Sequence, residues 1–214
     1  MKHLRTFSIL AIVITAGAFI TTGSWYKRTA AIHFPKTEIN KPVEDAALAK
    51  LKLKVSEARS FITKKNFNES ICFMIDMSIP SGHNRFFVYH LKKDSIQNAA
   101  LVTHGRCNEN WLEGRKYGNT VGCGCTSLGK YKVGYPYNGR FGLAYKLTGL
   151  ESTNNNAFKR YVVLHSHECV PNQQVHPLPI SQSDGCPTVS AAFLERISKV
   201  IDSSSRPLLL WIYD

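Results

Sequence analysis

The sequence predicts a mostly β, mixed α+β domain, with one helix flanking its N-terminal side and a second helix near its C-terminal end. Three observations carry this. Short runs rich in β-branched and aromatic residues, separated by glycine and proline turns, recur from Ser70 onward. Apolar residues at steps of three or four mark one stretch before that region and one near its end. Hydrophobic residues make up 43% of 214, which is the composition of a packed domain and not of a disordered chain.

The chain opens on a basic lead, Met1 to Arg5, followed by an uncharged and mostly apolar run, Phe7 to Ile20, with an A-x-A triplet at Ala16-Gly17-Ala18. That layout reads as a signal peptide or membrane anchor over residues 1–23, hence an exported protein of the periplasm or cell envelope, free or held at the inner membrane. Residues 24–41 contain Pro35 and no period, and read as a linker. Pro42 with Glu44 and Asp45 marks a helix start, and Val43, Ala47, Leu51, Val55, Ala58 and Ile62 form one stripe of a flanking helix over 42–65.

The main domain is expected over 66–214. Its strands are predicted at Ile71 to Met77, Arg85 to Tyr89, Ala99 to His104, Lys130 to Tyr135, Arg140 to Leu147 and Tyr161 to Leu164. The polar, glycine-rich stretch from Arg106 to Gly129 is long enough to be a functional loop. Val189, Phe193, Ile197, Val200 and Ile201 predict a helix, and Pro207 precedes a last strand, Leu208 to Tyr213.

Net charge is +12, from 27 basic and 15 acidic side chains, which points to an anionic partner. No nucleic-acid motif is present and the charges are scattered, so an acidic polymer fits better than nucleic acid. Six cysteines in an exported chain are compatible with bridges, but a thiol that must stay free leaves an odd one out, and spacing does not give the pairing.

The chemistry converges on residues 161–189. A strand runs into His165, His167 and Cys169, which alternate onto one face in extended chain. After a loop with three prolines, Ser183-Asp184-Gly185-Cys186-Pro187 turns the chain ahead of a helix start. A thiol there is exposed, and the helix dipole with an imidazole favours its thiolate. Cys186 is the candidate nucleophile and His165 the candidate base, with backbone N–H groups around Gly185 and Cys186 as an oxyanion hole. Two other readings use the same residues. His165, His167 and a cysteine could ligate zinc, although H-x-H-x-C matches no zinc spacing. Alternatively Cys186 is bridged and the domain only binds the polymer.

A histidine at a strand end, a loop, then S-x-G-C resembles the catalytic signature of the L,D-transpeptidases of bacterial peptidoglycan, and the G-C-P variant is most similar to the murein L,D-transpeptidase catalytic-domain branch. MIDMSIPSGHNRFFVYHL (Met74–Leu91), LVTHG (Leu101–Gly105), TSLGKY (Thr126–Tyr131) and NGRFGLAYKLTGLE (Asn138–Glu151) fit the same branch in the same order, over Asn66 to Asp214. The resemblance implies a β-rich catalytic fold, peptidoglycan stem peptides as partner, and no metal or organic cofactor. It implies a thioester on Cys186, proton transfer by His165, and Ser183 orienting the loop or imidazole. Transfer to an amine gives L,D-transpeptidation, and transfer to water gives L,D-carboxypeptidase activity. A zinc-dependent cell-wall peptidase and a non-catalytic peptidoglycan-binding module are the alternatives. Two positions depart from the common pattern. Asp184 stands beside the thiol, where an acid opposes ionisation unless it faces solvent or a cation. Thr188 stands where many relatives carry an arginine for the substrate carboxylate, which leaves Arg106, Arg140 or Arg160 for that task and His104 as a cleft residue.

Overall fold

The computed structural model describes residues 41–214, so the predicted leader and linker lie outside the described residues. Helix α1 (Lys41–Lys65) is followed by strands β1 (Ile71–Asp76), β2 (Phe86–His90), β3 (Ser95–Ala100), β4 (Gly129–Gly139), β5 (Gly142–Gly149), β6 (Val163–Ser166) and β7 (Thr188–Val189). Helix α2 (Ala191–Asp202) and strand β8 (Leu209–Tyr213) complete the fold. All eight strands join one sheet in the order β3-β2-β1-β8-β4-β5-β6-β7. The β1–β8 and β6–β7 pairs are parallel and the rest antiparallel.

Both faces of the sheet are covered near its middle, which explains why β8, LLWIY, is apolar throughout and buried at every position. Side chains alternate across the pleat. Phe73, Ile75, Leu210 and Ile212 enter a core with Phe193, Leu194 and Ile197 of α2. Cys72, Met74, Leu209, Trp211 and Tyr213 face the other way, onto Leu51, Val55, Ala58 and Ile62 of α1. From Leu51 to Ile62 the predicted stripe of α1 is thus its buried face, Ala47 is half-buried, the side chain of Val43 lies outside the described ones, and Asn66, at φ 57°, ends the helix. Ser190 caps α2 by accepting the Phe193 N–H, as an N-cap serine does.

Several predicted strand boundaries move for local reasons. The third strand is Ser95–Ala100, not Ala99 to His104: beyond Ala100 the Val102 carbonyl accepts Nε and a second guanidinium nitrogen of the buried Arg85 (3.0 and 2.7 Å) instead of a strand neighbour. Arg140 and Phe141 form the β4–β5 turn, where Gly142 takes φ 81°, so β5 starts after them. Tyr161 is not in a strand. It turns at φ 57° with its ring in solvent, and β6 begins at Val163. Val189, expected in the last helix, belongs to β7.

Candidate active site

Following the register outward from α1's face of the sheet locates His165. Tyr145 pairs with Leu164 on the α2 side, so Ala144 and its partner His165 emerge on the α1 side. There the sheet extends past the helix, since the α1 cluster draws its strand residues from β1, β2 and β8. His165 is buried under Phe141, which stacks on it with ring centres 5.0 Å apart and also meets His167 edge-on. Its Nδ1–H donates to the Ser166 carbonyl at 3.0 Å. That bond leaves Nε2 as the basic nitrogen, and Nε2 accepts from the Thr188 hydroxyl at 3.1 Å.

The 183–186 bend is pinned from several sides. Ser183 N–H donates to the His104 carbonyl and Arg106 N–H to the Ser183 carbonyl. The Ser183 hydroxyl donates to the Cys186 carbonyl at 2.7 Å and accepts the Gly185 N–H at 3.2 Å. Thr103 Oγ1 also reaches the Cys186 carbonyl and accepts the Thr188 N–H. Gly185 takes φ 104°, and a Cβ there would sit 2.5 Å from the Cys125 carbonyl oxygen, so conformation and space both demand glycine. Cys186 precedes strand β7, and α2 begins only at Ala191. The expected help from a helix dipole is therefore absent, because the dipole's influence fades within the first turn.

The thiol lies at the start of β6, 3.7 Å from the Tyr161 carbonyl and within reach of the Val163 backbone. Burial pushes the Cys186 thiol above its ordinary range, opposed by the Val163 backbone and Arg160 and aided by Asp184. Burial holds His165 below the ordinary imidazole value, partly offset by its bond to Ser166. At neutral pH the two therefore rest as thiol and neutral imidazole. Asp184 is exposed and pairs with Arg106 Nε at 2.8 Å, so a cation stands against its charge.

The three arginines have different surroundings. Arg106 is committed to Asp184 and the Glu109 carbonyl. Arg160 binds the Gly118 and Cys125 carbonyls and the Ser127 hydroxyl, directly behind Gly185. Exposed Arg140 lies over Phe141, 5.4 Å from the ring centre. His104 is buried, bonded to Arg85 and Gln182, and lines a cavity of about 460 Å³ that also includes Trp111 and Arg115 but not Cys186. Cys107 and Cys125 form a disulfide, while Cys72, Cys123, Cys169 and Cys186 are free. The bridge anchors the segment whose Cys125 carbonyl supports Gly185. Among the described residues no three His, Cys, Asp or Glu side chains stand close enough to hold a metal ion together. Sequence reasoning missed Thr188 as a partner of His165, Phe141 as its cover and Arg160 as the support of the bend. Only Phe141 had a sequence cue, its place in the N-G-R-F-G turn.

A free thiol thus sits on a tightly held bend just ahead of β7, the strand that pairs with the end of β6 carrying His165. Residues 43–213 match the model of the L,D-transpeptidase catalytic domain, and the chain belongs to that family. The matched stretch takes in α1. Among solved structures the chain is similar to an L,D-transpeptidase of Xylanimonas cellulosilytica, at 15% identity and a TM-score of 0.36 over 68% of this chain and 61% of that one. It is also similar to the helical cell shape determining protein Pgp2 of Campylobacter jejuni, at 12% identity and a TM-score of 0.43, over 79% of this chain and 55% of that one. The chain thus spans little more than half the length of these structures. No curated protein matches it.

Proposed function

We propose that this domain is an exported L,D-transpeptidase of the murein branch, acting on peptidoglycan stem peptides through a thioester on Cys186. The observation that carries the reading is the free Cys186 thiol at the start of β6 with His165 two residues along the same strand, in a chain of this family. Nε2 of His165 exchanges the Thr188 hydroxyl for the thiol and takes its proton. The sulfur attacks the carbonyl of the diamino acid at stem position three, and the bond to the terminal D-residue breaks as His165 returns the proton to the leaving amine. An amine of a second stem, or water, gives a proton to His165 and attacks the thioester, which restores the thiol. Because Gly185 N–H is taken by Ser183, the Cys186 N–H is the donor left for the oxyanion. Ser183 holds the bend. Arg140, beside Phe141 and His165, is the cation we assign to the carboxylate of the leaving D-residue. Arg106, Arg160 and His104 are supports.

The N-terminal run outside the described residues supplies export and either a cleaved signal or a membrane anchor. Among the described residues no helix is long and apolar enough to cross a membrane. Release of the terminal D-residue from a stem tetrapeptide, followed by chromatography, tests the activity. Cys186→Ala is expected to abolish it with the circular dichroism spectrum unchanged, His165→Ala to cost nearly as much, and His167→Ala far less. A Cys186→Ala protein that still turns over would refute the mechanism, and equal loss at both histidines would favour a metal.

A further inference from the structure

The sheet face that carries His165 also carries two cations that the reaction above does not use. Lys146 pairs with Val163 in the β5–β6 register, and Tyr137 pairs with Ala144, itself the partner of His165. Cross-strand partners share a face, so Tyr137, Lys146 and His165 project together. Lys132, opposite Thr148, lies on the same face one step further along. Both lysines are exposed and neither belongs to an ion pair among the described residues. The Lys146 ammonium is instead held between two aromatic rings, 5.6 Å from the centre of Tyr137 and 5.0 Å from that of Phe158. The rings themselves bring no countercharge to the ammonium. Lys132, Tyr137, Lys146, Thr148 and Phe158 border one groove of about 750 Å³, which includes neither Cys186 nor His165 and whose far wall carries Asp202 and Arg206.

Its position along the strands assigns it a role. The thiol reaches the Val163 backbone and the Tyr161 carbonyl, at the start of β6, and His165 lies two residues further on. Lys146 stands beside Val163, whereas Arg140 and Phe141 stand at the His165 end. Any amine that leaves or attacks the thioester exchanges a proton with His165, so both amines occupy the His165 end. That leaves the Val163 end, where Lys146 stands beside the strand the thiol reaches, for the retained acyl half.

We propose that Lys146, seconded by Lys132, forms a carboxylate-binding subsite for the retained half of the donor stem, taking a free carboxylate borne by the residue that precedes the diamino acid. The inference rests on the stem-peptide reading above. It separates the two cationic ends of the cleft: Arg140 for the part that departs, Lys146 for the part that stays.

The test is equilibrium binding by Cys186→Ala protein, so that it does not depend on turnover. The probes are two synthetic tetrapeptide stems, one with a free carboxylate on its second residue and one with a carboxamide there. The carboxylate form is expected to bind about tenfold or more tightly, the scale of one charge-assisted contact. Adding Lys146→Gln should erase that preference and Lys146→Arg should keep it. Arg140→Gln should weaken both peptides alike. Equal affinity of the two peptides, or a preference that survives Lys146→Gln, overturns the subsite. If neither peptide binds while unsubstituted protein still trims them, the subsite alone falls; if neither is bound nor trimmed, the stem-peptide reading falls with it.

Discussion

Cys186 and His165 are kept uncharged by the same cause, burial, and the reaction proposed above requires a proton to pass between them. Because the thiol is pushed up, its thiolate should be scarce at neutral pH and grow as pH rises. Iodoacetamide labelling of Cys186, followed by peptide mass spectrometry, is expected to climb about tenfold per pH unit from 7 with no plateau below pH 9. Thr188→Val removes the hydroxyl that occupies Nε2 of His165 and should raise the labelling rate at pH 7; a lower rate would mean that Thr188 helps to ionise the thiol. His104 gives a stability prediction. Burial, then Arg85 and Arg115, lower its pKa to about 4. The unfolded chain therefore binds a proton that the folded one refuses between about pH 6.5 and 4. Stability from this group is complete above pH 6.5 and falls as pH drops through that window, by about 3 kcal/mol. Urea titrations at pH 7 and pH 4.5 should show the loss, and His104→Gln should reduce it.

Elements matter here mainly for how they present the bend. The two-residue strand β7 is short, yet its pairing with β6 sets Thr188 opposite His165 and so brings the bend beside the imidazole. Helix α2 takes over immediately afterwards, and its N-cap is a place where a small change should register. Ser190→Ala removes the acceptor of the Phe193 N–H and is expected to cost about 1 kcal/mol in denaturant unfolding, with turnover preserved because the serine touches neither Cys186 nor His165. The Cys107–Cys125 bridge closes a loop over a separation of 18 residues, a length for which chain entropy predicts about 3 kcal/mol. Replacing both cysteines by serine should lower stability by that order. It should also slow turnover, since the Cys125 carbonyl against which Gly185 packs would lose its anchor.

At the scale of the whole molecule, the sheet has two covered faces and a site where one cover stops. Leu51→Ala on α1 would open a void against Met74 and Trp211 and is expected to cost 2–5 kcal/mol in stability, on the scale of about that range for buried leucines, while leaving the chemistry at the far strands unaltered. The amphipathic stripe of α1, the apolar β8, most of the strand segments and the S-D-G-C-P bend were all legible along the chain, because periodicity and turn chemistry are local. Cys186, His165 and Ser183 were legible as candidates for the same reason. The thiol's expected place at a helix start was not correct: seeing β7 before α2 requires knowing that Thr188 and Val189 pair with β6, a contact across more than twenty residues. Nor could spacing distinguish Arg106, Arg140 and Arg160, or single out Lys146. Their roles depend on which carbonyl, carboxylate or ring each meets, and those partners come from other strands and loops. Local sequence thus determined the elements and the reactive residue types. Tertiary packing alone decided which cations are already paired, which are not, and in which direction burial shifts the thiol and imidazole, because pairing and desolvation belong to neighbours distant in the chain.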